Sequence, residues 1–221
     1  MPGRGPEGIV EDLLDRWSER RGGRRHLFIG IGGGSASGKT TIAMRIADLL
    51  RPLRTEVVNQ DRFFWPADRL PTYHSRRHGA PRPDYNRPDS FDCERMFAHC
   101  RAVGACADGS PDVFILEGIL ALYYPELRDL MDVKCYVAAD ADERIVRRLR
   151  RNMSRSPFDE IAGYYLESVR HQHARYNAPT ERHADLVIPG GSAEEPERAA
   201  ILTTLCDAIK RRASAAQRPA E

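Results

Sequence analysis

Short apolar runs alternate with longer amphipathic segments along most of this chain. Five runs are apolar enough to predict buried strands, at residues 27–32, 55–58, 113–116, 133–138 and 186–188. Apolar residues at three-to-four spacing predict helices at residues 39–50 and at about 142–153, 159–176 and 194–212. Strands that alternate with helices favour an α/β fold, with a parallel five-stranded sheet and helices on both faces.

Three stretches fall outside this alternation. Residues 1–26 are rich in Gly, Pro and Arg, and apolar positions between 9 and 17 predict one short amphipathic helix there, so we treat 1–26 as a basic N-terminal appendage. Residues 214–221 are assigned to a C-terminal tail, which leaves 27–213 as the main domain. Residues 65–89 contain several prolines and are predicted to form a long irregular excursion, which is uncommon unless it is functional or disordered.

The segment between the first strand and the first helix carries the motif G-x-x-x-x-G-K-[ST]. The motif and the residue after it are Gly33, Gly34, Ser35, Ala36, Ser37, Gly38, Lys39, Thr40 and Thr41. Glycines let successive backbone N–H groups point inward at phosphates, and the following helix presents its positive end to them. Lys39 is expected to reach the β- and γ-phosphates, and the Thr40 hydroxyl to ligate Mg²⁺. A Gly/Ser-rich turn is the alternative, but the full motif between a strand and a helix argues against it.

The nucleotide that this loop is predicted to bind is ATP, because the sequence has no N-K-x-D motif for guanine. We therefore expect a fold of the P-loop NTPase type, with ATP and Mg²⁺ as cofactors.

Two carboxylates follow predicted strands. Asp61 comes shortly after residues 55–58, and Glu117 directly follows residues 113–116. Both are expected at the carboxyl edge of the sheet, where ligands of open α/β sheets bind. Asp61 is predicted to accept the proton of an acceptor hydroxyl, and Glu117 to be the second residue of the metal site. The alternatives are a helix N-cap for Asp61 and a cap of the Gly118 turn for Glu117.

Arginines recur at helical spacing after residue 143. Arg144, Arg148, Arg151 and Arg155 would share one face of a helix, which suits a small helical lid, at about residues 144–160, that closes over phosphates. Positive charge there would stabilise the transferred phosphoryl group. A solvated charged face is the alternative, and the phosphate loop makes it the less favoured one.

Overall charge and composition exclude several classes of protein. The chain has 34 Lys and Arg against 32 Asp and Glu, a net charge of +2, so no global basic field favours nucleic acid or an anionic membrane as a partner. No signal-peptide core and no run of roughly 18 apolar residues is present, and the five cysteines form no CxxC pair. We therefore expect a cytoplasmic protein whose partner is a small molecule.

Six segments together resemble the uridine kinase, nicotinamide riboside kinase and phosphoribulokinase group of P-loop kinases. They are IGIGGGSASGKTT at 29–41, QDRFF at 60–64, RPDSFD at 87–92, EGIL at 117–120, DAD at 140–142 and PTERHADLVIP at 179–189. The resemblance implies ATP and Mg²⁺, a catalytic Asp at Asp61, and phosphate-binding arginines at Arg148 and Arg151. Some relatives form dimers or tetramers, so a homo-oligomer is left open.

The acceptor pocket departs from that group. Uridine kinases carry F-D-H-P-D where this chain reads Tyr-Asn-Arg-Pro-Asp at 85–89, so Asn86 replaces the Asp that holds the ribose. Between Phe91 and Glu117 there is no match to their base-binding hairpin, and their lid ending E-R-G-R is replaced by Arg-Ser-Pro-Phe at 155–158. The residues expected to bind the acceptor are Asp61, Phe64, Tyr85, Asn86 and Tyr164.

These observations predict a phosphotransferase that moves the γ-phosphoryl group of ATP to a hydroxyl, with a nucleoside or similar riboside as the first-ranked acceptor. A kinase of another metabolite or natural-product alcohol is the second interpretation. An ATP-binding regulatory module without catalysis is a third, which the presence of both Lys39 and Asp61 disfavours. A nucleic-acid-binding protein is disfavoured by the near-neutral charge.

Overall fold

The computed structural model describes residues 6–19, 26–104, 110–191 and 195–216. The strands in these ranges are β1 (Leu27–Gly33), β2 (Thr55–Asn59), β3 (Thr72–Ser75), β4 (Ala80–Pro83), β5 (Val113–Glu117), β6 (Val133–Ala138) and β7 (Leu186–Pro189). Five of them form a parallel sheet in the order β2-β5-β1-β6-β7, and β3 and β4 form a separate antiparallel hairpin. The five predicted sheet strands and their parallel arrangement are confirmed.

Helices flank the sheet and supply one long helical run. The α-helices are α1 (Pro6–Glu19), α2 (Lys39–Leu49), α3 (Cys93–Gly104), α4 (Pro125–Arg128), α5 (Ala141–Asn152), α6 (Phe158–Tyr164), α7 (Arg170–Gln172) and α8 (Glu195–Ala216). Turns of π-helix at Tyr165–Val169 and His173–Asn177 join α6 and α7 into the helical run 158–177, and short 3₁₀ helices lie at Gln60–Phe63, Pro88–Ser90 and Ala178–His183. The four predicted helices are confirmed, whereas α3 and α4 were not predicted. In the described part of the chain, no helix combines the length and the apolar composition needed to cross a bilayer.

Both faces of the sheet are covered, because β1 and β5 are buried along their whole length. On one face Ile29 and Ile31 pack with residues of α2 and α8, and on the other Phe28 meets Phe114 edge to face at 4.8 Å between ring centroids. Each such side chain contributes roughly 1.5–3 kcal/mol when it is fully buried. The sheet is therefore a rigid base for whatever its strand ends carry.

The helix expected between residues 9 and 17 is present as α1. Its apolar side chains Val10, Leu13, Leu14 and Trp17 are buried in the same core as the sheet. The polar side of α1 faces the end of α8, where Arg211 lies 2.7 Å from Glu11. Residues 6–19 thus pack on the main core, while the domain boundaries drawn from the sequence stay a prediction.

The proline-rich segment 65–89 is more regular than expected. An irregular excursion was the wrong prediction for residues 72–83, where β3 pairs with β4 from Thr72 opposite Pro83 to Ser75 opposite Ala80. Gly79 closes the turn with φ of 60°, and prolines are tolerated in β4 because a two-stranded ribbon leaves its outer edge unpaired. Between Phe91 and Glu117, the described residues form α3 and then β5, with no hairpin among them.

Candidate active site

The phosphate loop joins β1 to α2 and curls back on itself. Gly33, Ala36 and Gly38 have positive φ of 147°, 64° and 100°, and the Ser37 amide donates to the Gly34 carbonyl at 3.1 Å. A non-glycine residue such as Ala36 adopts this conformation only when its surroundings enforce it. Of the ten residues predicted to bind the nucleotide, nine run from the end of β1 through this loop into the first turn of α2, and the tenth, Arg151, lies in α5.

Close packing explains the glycine at position 34. A Cβ atom on Gly34 would lie 2.6 Å from Nη1 of Arg144, so a larger residue would force the Arg144 side chain to shift. The Arg144 side chain is itself buried, and its Nε donates to the Ala139 carbonyl at 3.0 Å. The sequence motif and the arginine helix therefore form one packed unit.

Thr40 and Glu117 meet beside this loop. The Thr40 hydroxyl donates to Glu117 Oε1 at 2.9 Å, and the side-chain amide of Asn59 donates to the same oxygen. The other carboxylate oxygen, Oε2, is buried and has no hydrogen-bond partner among the described residues. Burial raises the pKa of Glu117, although Lys39 and Thr40 oppose the rise. A buried, unpaired carboxylate oxygen next to a threonine hydroxyl fits a hard cation such as Mg²⁺.

Lys39 stands between the loop and the two carboxylates. Its Nζ donates to the Gly34 carbonyl at 3.4 Å, a long hydrogen bond that a stronger acceptor can replace. Burial lowers the pKa of Lys39, while the negative charges of Glu117 and Asp61 raise it. The ammonium group is thus held where phosphate oxygens would be its natural partners.

Asp61 lies at the carboxyl end of β2, within the 3₁₀ helix Gln60–Phe63. The residue that caps this helix is Asn59, whose side-chain oxygen accepts from the Asp61 amide at 2.6 Å. The alternative role of Asp61 as an N-cap is therefore wrong. Surrounding protein atoms raise its pKa by desolvation, and the charges of Lys39 and Arg151 lower it.

The hydrogen bonds also decide the alternative role of Glu117 as a cap of the Gly118 turn. The amide of Gly118 donates to the Ile31 carbonyl at 3.0 Å, and Glu117 Oε1 is used by Thr40 and Asn59 instead. Glu117 therefore does not cap the Gly118 turn.

Arginines of α5 face the phosphate loop. Arg148 Nη1 donates to the Ser35 hydroxyl at 2.8 Å, and burial lowers the pKa of Arg148. Arg151 is close enough to Asp61 and Lys39 to influence the pKa of both. The helix ends at Asn152, so the prediction that Arg155 continues the stripe is wrong.

A different arginine completes the group. Arg147 Nη1 donates to the Gly190 carbonyl at 2.8 Å and to the Ser37 carbonyl at 3.5 Å, and its Nη2 pairs with Glu143 at 3.1 Å. The stripe predicted from the sequence did not include Arg147. Its position three residues after Arg144 was the signal that could have found it.

The residues expected to bind the acceptor form two contacting groups. Tyr164 accepts hydrogen bonds from the Tyr85 amide at 3.2 Å and from the Asn86 side chain at 2.7 Å. The ring of Phe64 meets Tyr85 at 5.2 Å and stacks on Phe91 at 4.5 Å between centroids. These contacts bring together the four aromatic and amide residues predicted for the acceptor side.

The buried carboxylate of Asp84 holds this arrangement in place through hydrogen bonds. Asp84 accepts from the Asn86 amide at 2.9 Å and from the Gln172 side chain at 3.0 Å, and its own carbonyl accepts from Ser90 at 2.7 Å. Tyr164 also carries Arg148 over its ring, at 5.4 Å from the centroid. One side chain thus touches both the acceptor residues and the arginine that reaches the phosphate loop.

Asn177 was missed by the sequence analysis. It is buried at the end of the helical run 158–177, and its amide donates to the carbonyls of Gly33 and Ile119, the first at 3.0 Å. The Tyr136 hydroxyl donates to its side-chain oxygen at 2.9 Å. No sequence motif marks this contact, because it joins residues 144 positions apart.

A cavity of about 550 Å³ lies beside Gly34. Its walls include Asp140 and Arg144 at the start of α5, Pro189 at the end of β7 and Gly191 after it. This volume lies next to the phosphate loop and is large enough for a heterocyclic base.

Comparisons with known proteins agree with this geometry. A family model described as the phosphoribulokinase and uridine kinase family matches residues 105–195. A uridine kinase of Clostridium botulinum (strain Langeland) is 33% identical over 190 residues, covering 76% of this chain and 90% of that protein. A uridine kinase of Deinococcus deserti is 34% identical over 196 residues, covering 78% and 91%. A solved structure of a putative fructose transport system kinase from Silicibacter sp. TM1040 has a similar fold, with a TM-score of 0.60, 22% identity and coverage of 85% and 100%.

The sheet order, the phosphate loop and the facing arginines define a P-loop kinase. Within that class, similarity to the curated relatives over nine-tenths of their length is decisive. The chain belongs to the phosphoribulokinase and uridine kinase family. The resemblance recognised from the sequence is confirmed, and so is the prediction that the chain is a kinase.

Proposed function

We propose that this kinase transfers the γ-phosphoryl group of ATP, with Mg²⁺, to a hydroxyl group of a nucleoside-like riboside. The observation that carries the proposal is the meeting of one lysine and two carboxylates at the carboxyl edge of the sheet. The charge of Lys39 is close enough to lower the pKa values of both Glu117 and Asp61, and both carboxylates raise the pKa of Lys39. Phosphoryl transfer depends on positioning and on electrostatic stabilisation, and these are the groups that it requires.

The nucleotide would bind by its phosphates in the loop between β1 and α2. Backbone N–H groups of residues 34–40 would donate to phosphate oxygens, and Lys39 would exchange its long bond to Gly34 for the β- and γ-phosphates. Arg148 is 2.8 Å from Ser35 and so within reach of charge that develops on the transferred group. The base would occupy the cavity of about 550 Å³ beside Gly34.

Thr40 and Glu117 are the residues that would hold the metal ion. The buried Oε2 atom of Glu117, which lacks a partner among the described residues, supports this assignment. Mg²⁺, when bound with the nucleotide, supplies positive charge at the β- and γ-phosphate oxygens. Asn59 fixes the orientation of the carboxylate through its hydrogen bond to Oε1.

Asp61 would act as the general base. Its carboxylate would accept the proton of the acceptor hydroxyl as that oxygen bonds to the γ-phosphorus, and the bond from the γ-phosphorus to the bridging oxygen breaks to leave ADP. A desolvated carboxylate is a stronger base than a solvated one, and desolvation raises the pKa of Asp61.

The acceptor side supports a riboside or another polyhydroxylated compound. Relatives at 33–34% identity carry the name uridine kinase, and Tyr85, Asn86 and Tyr164 offer aromatic and neutral polar groups. Asn86 provides no charge for a ribose diol, and Asp84, the neighbouring carboxylate, is already bonded within the fold. This difference favours testing acceptors beyond uridine.

The test is ADP release from Mg-ATP with purified protein against uridine, cytidine, nicotinamide riboside, free pentoses and pantothenate. We expect turnover with a riboside, and a loss of about 10²–10⁴ in kcat for Asp61→Asn with nucleotide affinity nearly unchanged. Asp68→Asn, which changes an exposed carboxylate in the same segment, is the matched control. Turnover by Asp61→Asn at the parent rate would refute the assignment of the base, and silence across the panel would refute the riboside.

A further inference from the structure

The β3–β4 hairpin rests on the helix that follows the arginines. At the tip of the hairpin, Arg77 Nε donates to Glu160 Oε1 at 2.9 Å, and Arg77 Nη1 lies 3.4 Å from Asp159. The neighbouring His78 Nε2 is 3.0 Å from the other oxygen of Glu160. Two residues at the turn thus contact two residues in the first turn of α6.

Further contacts extend along the same helix. The backbone amide of Arg76 donates to Glu167 Oε1 at 3.2 Å, and the ring of Tyr73 lies 5.3 Å from the ring of Tyr164. The chain leaving the hairpin adds the bond from the Tyr85 amide to the Tyr164 hydroxyl. The hairpin and its exit therefore contact the helical run from residue 159 to residue 167.

These contacts continue to the phosphate loop without a break. Tyr164 packs under the guanidinium group of Arg148, and Arg148 donates to the Ser35 hydroxyl. Tyr164 is therefore in contact both with the hairpin and its exit and with Arg148. The hairpin belongs to the acceptor side, because its exit leads directly into Tyr85 and Asn86.

We propose that the β3–β4 hairpin is a positioning element that couples acceptor binding to the placement of Arg148, and that Arg77 and Glu160 hold it on the helix. The inference rests on the proposed function, since it concerns the acceptor side of that reaction. Arg77 and Glu160 act through Tyr164 and Arg148 and are positioning residues. The hairpin precedes Phe91, so it differs in position from the base-binding hairpin of uridine kinases, to which residues 91–117 show no match.

Charge reversal gives a test with an internal rescue. Arg77→Glu puts a carboxylate opposite Asp159 and Glu160, and Glu160→Arg puts a guanidinium opposite Arg77 and His78, so each single change replaces attraction by repulsion. The double variant restores opposite charges across the contact between 77 and 160. The matched control is Arg211→Glu, which breaks an exposed ion pair between α8 and α1.

The first readout is hydrogen exchange in the full chain with Mg-ADP present. The amides of Arg76 and Tyr85 donate to side chains of the helical run, so their exchange reports whether the hairpin is docked. We expect faster exchange at both amides in each single variant and parent-like exchange in the double variant and in the control. Parent-like exchange in the single variants, or no recovery in the double variant, overturns the proposal.

The second readout is kinetic, with uridine as the probe acceptor. We expect the KM for uridine to rise about fivefold in each single variant while the Kd for Mg-ADP stays within about twofold, and the double variant to return toward the parent. Equal losses in nucleotide and acceptor affinity would indicate a merely structural role and overturn the coupling. If the parent turns over no acceptor, the proposed function fails, and the exchange measurement alone upholds or overturns the docking of the hairpin.

Discussion

The phosphate side and the acceptor side of the cleft are built in different ways. The phosphate side is one contiguous segment whose shape is set by backbone conformation at Gly33, Ala36 and Gly38. The acceptor side joins Asn86, Tyr164 and Asp84 by hydrogen bonds between side chains and backbone groups of separate segments. A binding site shaped by backbone conformation depends on every residue of its segment. A binding site built from side chains of separate segments can change one residue at a time. This contrast is consistent with the expectation from the sequence that the phosphate loop follows the family pattern while the acceptor residues depart from it.

The largest expected effect comes from removing Lys39, the charged side chain that the phosphate-loop motif itself contributes. Lys39→Ala should lower kcat by about 10²–10³ and weaken nucleotide binding as well, because it removes a preorganised positive charge from the phosphates. Arg45→Ala, which removes an exposed cation from the same helix, should leave both unchanged. Titration with a fluorescent ATP analogue and steady-state turnover give the two quantities. Parent-like affinity and rate for Lys39→Ala would mean that the loop does not bind the nucleotide.

The second prediction is that the buried carboxylate of Glu117, on the phosphate side, lowers the free energy of unfolding. Because burial raises its pKa, the folded protein keeps the Glu117 proton to higher pH than the unfolded chain does. Stability linked to this group is therefore fully present below the pKa of the unfolded chain and is lost as pH rises through the raised folded-state pKa. Glu117→Gln should increase the free energy of unfolding at pH 7–8 by about 1–3 kcal/mol, the range for an unpaired buried polar group, and should weaken Mg²⁺-dependent nucleotide binding.

Urea unfolding at pH 5 and pH 8 checks the stability effect, which should be larger at the higher pH. Glu56→Gln, a partly buried strand glutamate, serves as the control. A variant that is less stable than the parent at pH 8 would contradict the assigned electrostatics.

On the acceptor side, Tyr164→Phe should weaken acceptor binding and leave nucleotide binding nearly unchanged. The substitution leaves the Tyr85 amide and the Asn86 side chain without their shared acceptor, so the pocket loses order while the phosphate loop is untouched. We expect KM for the acceptor to rise about tenfold, equivalent to about 1.4 kcal/mol, with nucleotide affinity within about twofold. Tyr165→Phe, in the next position, is the control. An equal loss of nucleotide affinity would show that the two sides are not separable.

The smallest expected effect concerns His173, which lines both the cavity beside Gly34 and a small pocket next to Asn86. Burial lowers its pKa to about 4, with Arg144 as the second cause, so the ring is neutral at pH 7. The unfolded chain then binds a proton that the folded protein does not, and stability falls as pH drops from about 6.5 toward 4, by up to about 1.4 kcal/mol per pH unit.

His173→Gln should flatten this slope, and His74→Gln, on the exposed hairpin, should not. Melting temperatures at pH 7 and pH 5.5 make the comparison. A slope in His173→Gln that equals the parent's would refute the burial of a neutral imidazole between the two sides.

The parts of the site that could be predicted are those that the sequence encodes locally. Residues 33–41 are contiguous, and Asp61 and Glu117 follow strands whose apolar runs are unmistakable, so the edge of the sheet could be assigned in advance. Arg147 and Asn59 were missed because a charged helix and a strand end do not reveal which neighbour each side chain will meet. The hairpin at 72–83 was missed because its prolines masked the strand pattern, and its partner is a helix about 80 residues further along.

Asn177 has a consequence for anyone who wishes to redesign this enzyme. Its side-chain amide donates hydrogen bonds to the carbonyls of Gly33 and Ile119. The C-terminal end of the helical run 158–177 is therefore held where it meets the phosphate loop. Upstream of Asn177, the run buries Ile161, Tyr165 and Val169. New acceptor specificities can be sought by substituting the less buried positions of the run while these residues and Asn177 are left in place.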